Sequence, residues 1–106
     1  MRVIRKVLLA QRGQVRHEAL PFGYAVVRIG MWEGSPYAWV WVDPDETRLQ
    51  NADFLVVCSG DPVADDMFYP LNSFNDHGGP DGVWFGLVKY GTEITPYIEP
   101  FYKKPL

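Results

Sequence analysis

Tyr37-Ala38-Trp39-Val40-Trp41-Val42 is the stretch that decides how this chain folds. Side chains on an extended strand alternate between faces, so Tyr37, Trp39 and Trp41 share one side and Ala38, Val40 and Val42 the other. Both sides are apolar, and a strand apolar on both faces is covered on both. Either this strand lies in one layer of a sandwich or barrel, or one of its faces meets a partner. The rings belong first to the core, because each aromatic buries a large area. The alternative is a contact surface of Trp32, Tyr37, Trp39 and Trp41, bordered by charge as interface hot spots are.

The same short apolar runs, punctuated by Gly, Pro, Asp and Asn, recur on either side. Upstream, Tyr24 to Trp32 reads as a strand that turns through Glu33-Gly34-Ser35-Pro36 into Tyr37 to Val42, the clearest hairpin in the chain. Before it come strands over Arg2 to Leu9 and Val15 to Leu20, joined by a turn at Gln11-Arg12-Gly13-Gln14 and ended by Pro21-Phe22-Gly23. Downstream, Asp43-Pro44-Asp45-Glu46-Thr47 ends the central strand, and Asp45 to Asn51 has room for one helical turn. Phe54 to Ser59 is the next strand, stopped by Gly60-Asp61-Pro62. A short edge strand near Met67–Tyr69 leads into a long loop up to Gly82, and Val83 to Tyr90 is the last clear strand. No window of eleven or more residues keeps a helical period without a Pro or Gly breaker. The expected fold is all-β: a small antiparallel sandwich or barrel of about six or seven strands. It divides into a β domain over residues 1–91 and an extended, proline-rich C-terminal tail over 92–106, whose Pro96, Pro100 and Pro105 bar helix and central-strand roles.

Composition narrows the function. The chain has 106 residues, enough for one domain with a modest core. Ten Lys and Arg against thirteen Asp and Glu give a net charge of −3, which argues against a broad phosphate-binding surface; direct DNA binding is not expected. Cys58 is the one cysteine, so no intramolecular disulfide forms and a reducing compartment suits the chain. The first ten residues hold only a short apolar run, and nothing approaches the ~20 apolar residues of a membrane helix. A cytoplasmic protein with no membrane partner is the expectation.

The chemistry-bearing residue types do not assemble into a known pattern. Asp43-Pro44-Asp45-Glu46, Asp61 to Asp66, and Asn75, Asp76, His77 and Asp81 are acidic or His-bearing, but their spacing matches no calcium loop and their ligand types no closed zinc site. Turn chemistry accounts for them, since Asp and Asn bond their own backbone. Cys58 with His17 or His77 is the only nucleophile–base pairing on offer, and Cys58 sits in an apolar run where a free cysteine is a small buried hydrophobe. Ser59-Gly60 lacks the nucleophile-elbow pattern. Gly78-Gly79-Pro80-Asp81-Gly82 precedes neither a Lys-Ser/Thr pair nor a helix, as a phosphate loop would. No enzyme and no cofactor are expected. The basic start, Arg2, Arg5, Lys6, Arg12 and Arg16, reads as solvated strand edges guarded by charge.

Four motifs in order, Leu20-Pro21-Phe22-Gly23, Val42-Asp43-Pro44, the run Phe54 to Pro62, and Val83-Trp84-Phe85, resemble a family of small β-rich domains of unknown function encoded by phages and prophages. The resemblance covers roughly residues 1–90; the chain departs from it at Asn72–Gly82 and after Tyr90. It implies a phage origin and a bacterial host cytoplasm, and no site residues. With the lack of catalytic groupings, it leads to a non-enzymatic accessory protein that binds and inhibits a host antiviral defence component. Two modes are open: steric blocking of a CRISPR effector, with Asp61, Asp65 and Asp66 covering a basic groove, or sequestration of a signalling nucleotide by aromatic and Arg side chains. The contact residues are Trp32, Tyr37, Trp39, Trp41, Asp61, Asp65 and Asp66. A virion structural or assembly protein, forming homo-oligomers through its apolar tail, is the first alternative and a small enzyme the second.

Overall fold

A computed structural model describes residues 1–75 and 82–96. Seven strands run in chain order: β1 (Val3–Leu8), β2 (Arg16–Pro21), β3 (Ala25–Trp32), β4 (Ser35–Val42), β5 (Arg48–Cys58), β6 (Tyr69–Asn75) and β7 (Val83–Pro96). They form two antiparallel sheets, one of three strands in the order β1-β4-β3 and one of four in the order β2-β5-β7-β6. No helix occurs among the described residues. The fold is the all-β sandwich that the patterning calls for.

The hairpin between β3 and β4 sets the first sheet. Glu33 and Gly34 both take positive φ, 52° and 83°, between the paired Trp32 and Ser35. That is a two-residue turn of the type whose twist matches flanking strands. The turn is thus two residues shorter than expected, and Ser35 and Pro36 begin β4. Pro36 has no N–H to give, but its carbonyl accepts the Leu9 N–H at 3.0 Å.

Between the sheets lies a core that includes Leu20, Val26, Ile29, Ala38, Val40, Val42, Phe54, Val56 and Val88. Gly86 lets the layers close: a Cβ there would stand 2.5 Å from the Ile29 Cβ. β5 is the strand covered on both faces, with every residue from Phe54 to Cys58 buried. Its outward residues Leu55 and Val57 join Leu87 and Phe68 in a second cluster, roofed by the segment from 61 to 68.

Three boundaries differ from the sequence reading. Residues 48–51 are strand, not a helical turn, because Leu49 and Gln50 pair with Pro21 and Leu20 on one side and with Thr95 and Ile94 on the other. The short edge strand expected at Met67–Tyr69 is instead the seven-residue β6, which starts at Tyr69 and sinks Phe74 into the core; Met67 is in the preceding turn and exposed. The last strand continues past Tyr90 to Pro96, held by the upper half of β5. The expectations for residues 76–81, including Asp76, His77 and Asp81, and for 97–106, including Pro100 and Pro105, lie outside the described residues.

Candidate functional site

β4 is the middle strand of the smaller sheet, and its alternation is kept: Ala38, Val40 and Val42 are buried, whereas Trp41 is 47% exposed. The rings therefore face out, contrary to the first expectation that they fill the core. The aliphatics were small enough to fit between two sheets spaced by side chains, and the layer of large rings on the other side has no third layer over it among the described residues.

Register shows what else shares that outward face. Directly paired residues lie on the same side of a sheet. From β1, Ile4, Lys6 and Leu8 stand opposite Trp41, Trp39 and Tyr37. From β3, Arg28 stands opposite Trp39, Gly30 opposite Tyr37, and Trp32 opposite Ser35. A β-bulge at Val27 is responsible for the last group: Val26 faces the core opposite Val40, and one extra residue puts Arg28 and Trp32 outside rather than inside. The outward positions of the three strands carry no Asp or Glu.

Cations lie on the rings. The Lys6 ammonium is 3.2 Å from the Trp32 ring centroid and 4.8 Å from that of Tyr37. The Arg2 guanidinium stands 6.0 Å from Trp41. Trp32 meets Tyr37 edge-on at 5.7 Å, and Tyr37 and Trp39 are 6.3 Å apart at 48°. Gly30 keeps the floor low beside them: a Cβ there would come within 3.6 Å of both the Arg28 guanidinium and the Trp39 ring. Such cation–π contacts are each weak at an exposed site, roughly 0.5–1 kcal/mol. They nonetheless leave the face positive, aromatic and half-exposed.

The acidic residues lie on the opposite side of the sandwich and are differently engaged. Asp61 takes two hydrogen bonds from the Arg12 guanidinium, both at 2.8 Å, and one from the Cys58 N–H at 2.9 Å. The Arg12 bonds first, then the backbone N–H, lower its pKa to about 2. Asp65 accepts from the Lys89 ammonium at 2.6 Å and from the Met67 N–H at 2.9 Å, which hold its carboxyl below the usual range. Together they clamp the 61–68 segment over Leu55, Val57 and Leu87. Asp66 is exposed on that segment. The two groups of expected contact residues thus occupy opposite outer faces: the four rings together on one, the three aspartates together on the other. A shallow pocket between Val15, Leu55, Val63 and Phe68 lies under the clamped segment.

No group of three His, Cys, Asp or Glu able to hold a metal exists among the described residues. Cys58 is buried in β5 opposite Trp84. His17 pairs instead with Asp53, its Nδ1 2.6 Å from the carboxylate, five residues along β5 from Cys58. At about 3.4 Å per residue that separation, about 17 Å, keeps the thiol and imidazole apart.

One cluster has no counterpart in the sequence reading. Tyr24, Tyr69 and Tyr90 gather at one end of the sandwich, Tyr90 between the others at 5.6 and 5.8 Å. The Tyr24 hydroxyl donates to the Asn51 carbonyl at 3.2 Å. Burial, then a hydrogen bond with Tyr69, push Tyr90 up to about 12, and burial drives Tyr24 higher still. Tyr24 stands just before β3, Tyr69 starts β6 and Tyr90 lies in β7, so nothing in the local pattern of each brought them together.

No curated protein and no solved structure matches this chain. A family model described as a domain of unknown function, DUF7352, matches residues 1–94, and with nearly the whole chain covered the protein belongs to that family.

Proposed function

We propose that this is a non-enzymatic binding protein that holds an anionic partner from a bacterial host on the outer face of the three-stranded sheet, and by doing so inhibits an antiviral defence component. The observation that carries the reading is the composition of that face: two half-exposed rings, Trp32 and Trp41, two partly buried ones, Tyr37 and Trp39, and three cations, Arg2, Lys6 and Arg28, with no acid among its outward strand positions. Exposed aromatic patches of this kind mark interaction sites, and the positive potential selects the sign of what lands there. The defence target rests on the resemblance to phage-encoded domains.

Of the two modes, the geometry favours sequestration of an anion over an acidic decoy. Asp61 and Asp65 are already neutralised by Arg12 and Lys89, which leaves little free negative charge to cover a basic groove. Self-association through the ring face is opposed by charge, because a two-fold pairing of identical patches sets cation against cation.

The test is phage plating. The chain is expressed in bacteria carrying either an RNA-guided nuclease defence or one that signals through nucleotides. The parent protein is expected to restore plaques on at least one of them. The triple variant Arg2→Glu, Lys6→Glu, Arg28→Glu, checked for an unchanged melting curve, is expected to lose that effect. A parent without effect on either strain removes the defence role. A triple variant as active as the parent places the working surface elsewhere.

A further inference from the structure

We infer that the ligand of the ring face is a short single strand of nucleic acid, about three nucleotides long, laid along β4 with a base on each of Tyr37, Trp39 and Trp41. The inference rests on the binding reading above and names its ligand.

Spacing comes first. Alternate side chains on a strand stand roughly 6.6–6.8 Å apart, and the Tyr37 and Trp39 rings are 6.3 Å apart. Bases stacked on one another repeat at about 3.4 Å, so a duplex cannot set successive bases on successive rings. An extended single strand, its bases parted, matches the row. Aromatic platforms hold such strands whatever the sequence, because every base has a π-face.

Charge comes next. The backbone of a strand so placed runs beside the rings, where Lys6 and Arg28 flank Trp39 from both sides and Arg2 stands by Trp41. Three phosphates meet three cations with no acid at the outward strand positions; Glu33 lies in the turn beyond Trp32, off the Tyr37–Trp41 row. The net charge of −3 does not oppose this, because acids such as Asp53, Asp61 and Asp65 lie on the outer side of the other sheet. An acidic protein segment fits less well: its carboxylates suit the cations, but the negative faces of the rings repel them and have no base to stack on.

Lys6 ties the two parts together. In the free protein its ammonium sits on Trp32 and Tyr37. A phosphate beside Trp39 draws that ammonium away and bares the Tyr37 ring for a base, so ring and cation come into use in one step.

Tryptophan fluorescence of the full chain, titrated with trithymidylate carrying three phosphates, tests this against thymidine monophosphate and a glutamate oligopeptide. The trinucleotide is expected to quench the emission and to bind at least ten-fold more tightly than the mononucleotide. Its log-affinity is expected to fall against log salt with a slope of about −2, from −0.7 per phosphate on a single strand. Trp39→Ala is expected to weaken binding five-fold or more at an unchanged slope, and Lys6→Met to reduce the slope by about 0.7. Equal binding of the glutamate peptide makes the ligand an acidic protein: the inference falls and the binding reading stands. Binding of neither overturns the inference and leaves the plating assay to judge the reading. A Trp39→Ala variant, folded by its melting curve, that binds as tightly as the parent also overturns it.

Discussion

Asn72 ties the two sheets together, and its loss has a size that can be worked out. Its side-chain oxygen accepts the Ile29 N–H at 2.9 Å and its side-chain nitrogen donates to the Ile29 carbonyl at 2.7 Å. β3 is an edge strand, so those two backbone groups point away from β4 and have no ladder partner of their own. The Asn72 amide stands in for a strand that is not there, and Ile29, which it serves, is 0% exposed. Asn72→Ala strands one donor and one acceptor. Each costs about 1–3 kcal/mol if dry, and water at the sheet edge returns part, which leaves about 2–3 kcal/mol in total. For a domain of 106 residues that is a fall in Tm of roughly 8–24 °C. Urea unfolding followed by far-UV circular dichroism reads it directly. Asn72→Asp separates the two bonds: it keeps an acceptor for the N–H but sets a carboxylate oxygen against the Ile29 carbonyl. At pH 7 it is expected to be no better than alanine, and to improve on acidification as the carboxyl gains a proton. Ser73→Ala, one residue along and exposed, is the control, expected within about 0.5 kcal/mol of the parent. An Asn72→Ala variant within that same margin refutes the account.

The two faces of β4 should respond oppositely to truncation: Val40→Ala, in the core, costs about 2–3 kcal/mol from two lost methyls and the cavity, and Trp41→Ser about 1 kcal/mol or less, both read by urea unfolding. Because Asp61 is depressed from 3.8 to about 2, its clamp stabilises the fold above the unfolded value and is lost as pH falls through the folded one. The difference in urea midpoint between parent and Asp61→Asn should therefore be constant above about pH 5 and shrink towards pH 2; a difference that does not change over this range refutes the clamp. Tyr90 is raised from 10.0 to about 12, so its contribution is full below pH 10 and lost as pH rises through 12; absorbance titration at alkaline pH should show late-ionising tyrosine from Tyr24 and Tyr90 in the folded chain, and lose that delay once the chain is unfolded. Neutralising the ring face with Arg2→Gln, Lys6→Gln and Arg28→Gln should lower the concentration at which the protein self-associates in sedimentation, since the like charges that oppose pairing are gone; no change refutes the role given to them.

The strands were legible where turn formers bound a period-two run. Tyr37 to Val42 is strand throughout, but only one of its two apolar faces is covered among the described residues, against the expectation that both would be. What the pattern did not disclose was which face turns inward, since rings and aliphatics compete for the same space and only the opposite sheet decides. The bulge at Val27 was equally hidden. Strict alternation from Val26 puts Arg28 and Trp32 in the core; one extra residue reverses both, and no residue type at that point announces it. Residues 48–51 failed for a different reason. Arg48, Leu49, Gln50 and Asn51 have little strand propensity of their own and are extended because β2 and β7 pair with them on either side. The acidic segment was read from charge alone, which does not tell an exposed carboxylate from one engaged by an arginine far away in the chain, as Asp61 is by Arg12.

The two outer faces of the sandwich pose one problem and meet it in different ways. Leu55, Val57, Leu87 and Phe85 make the outer side of the larger sheet apolar, and the chain covers them with its own 61–68 segment, locked at both ends by Asp61 with Arg12 and Asp65 with Lys89. The smaller sheet presents rings of greater area and has no such cover among the described residues. Its rings are partly covered by long cationic side chains, with the Lys6 and Arg2 heads over Trp32 and Trp41. A roof of that kind differs from a loop in one physical respect. Lifting the 61–68 segment means breaking two ion pairs and exposing a buried cluster, whereas sliding the Lys6 ammonium from Trp32 and Tyr37 to a nearby phosphate exchanges two weak contacts for a stronger one and uncovers only those two rings. The first cover suits a face that stays closed, and the second a face that opens when the right charge arrives. The unequal treatment of two apolar surfaces in one small domain is therefore the strongest reason to look for binding on the β1-β4-β3 side.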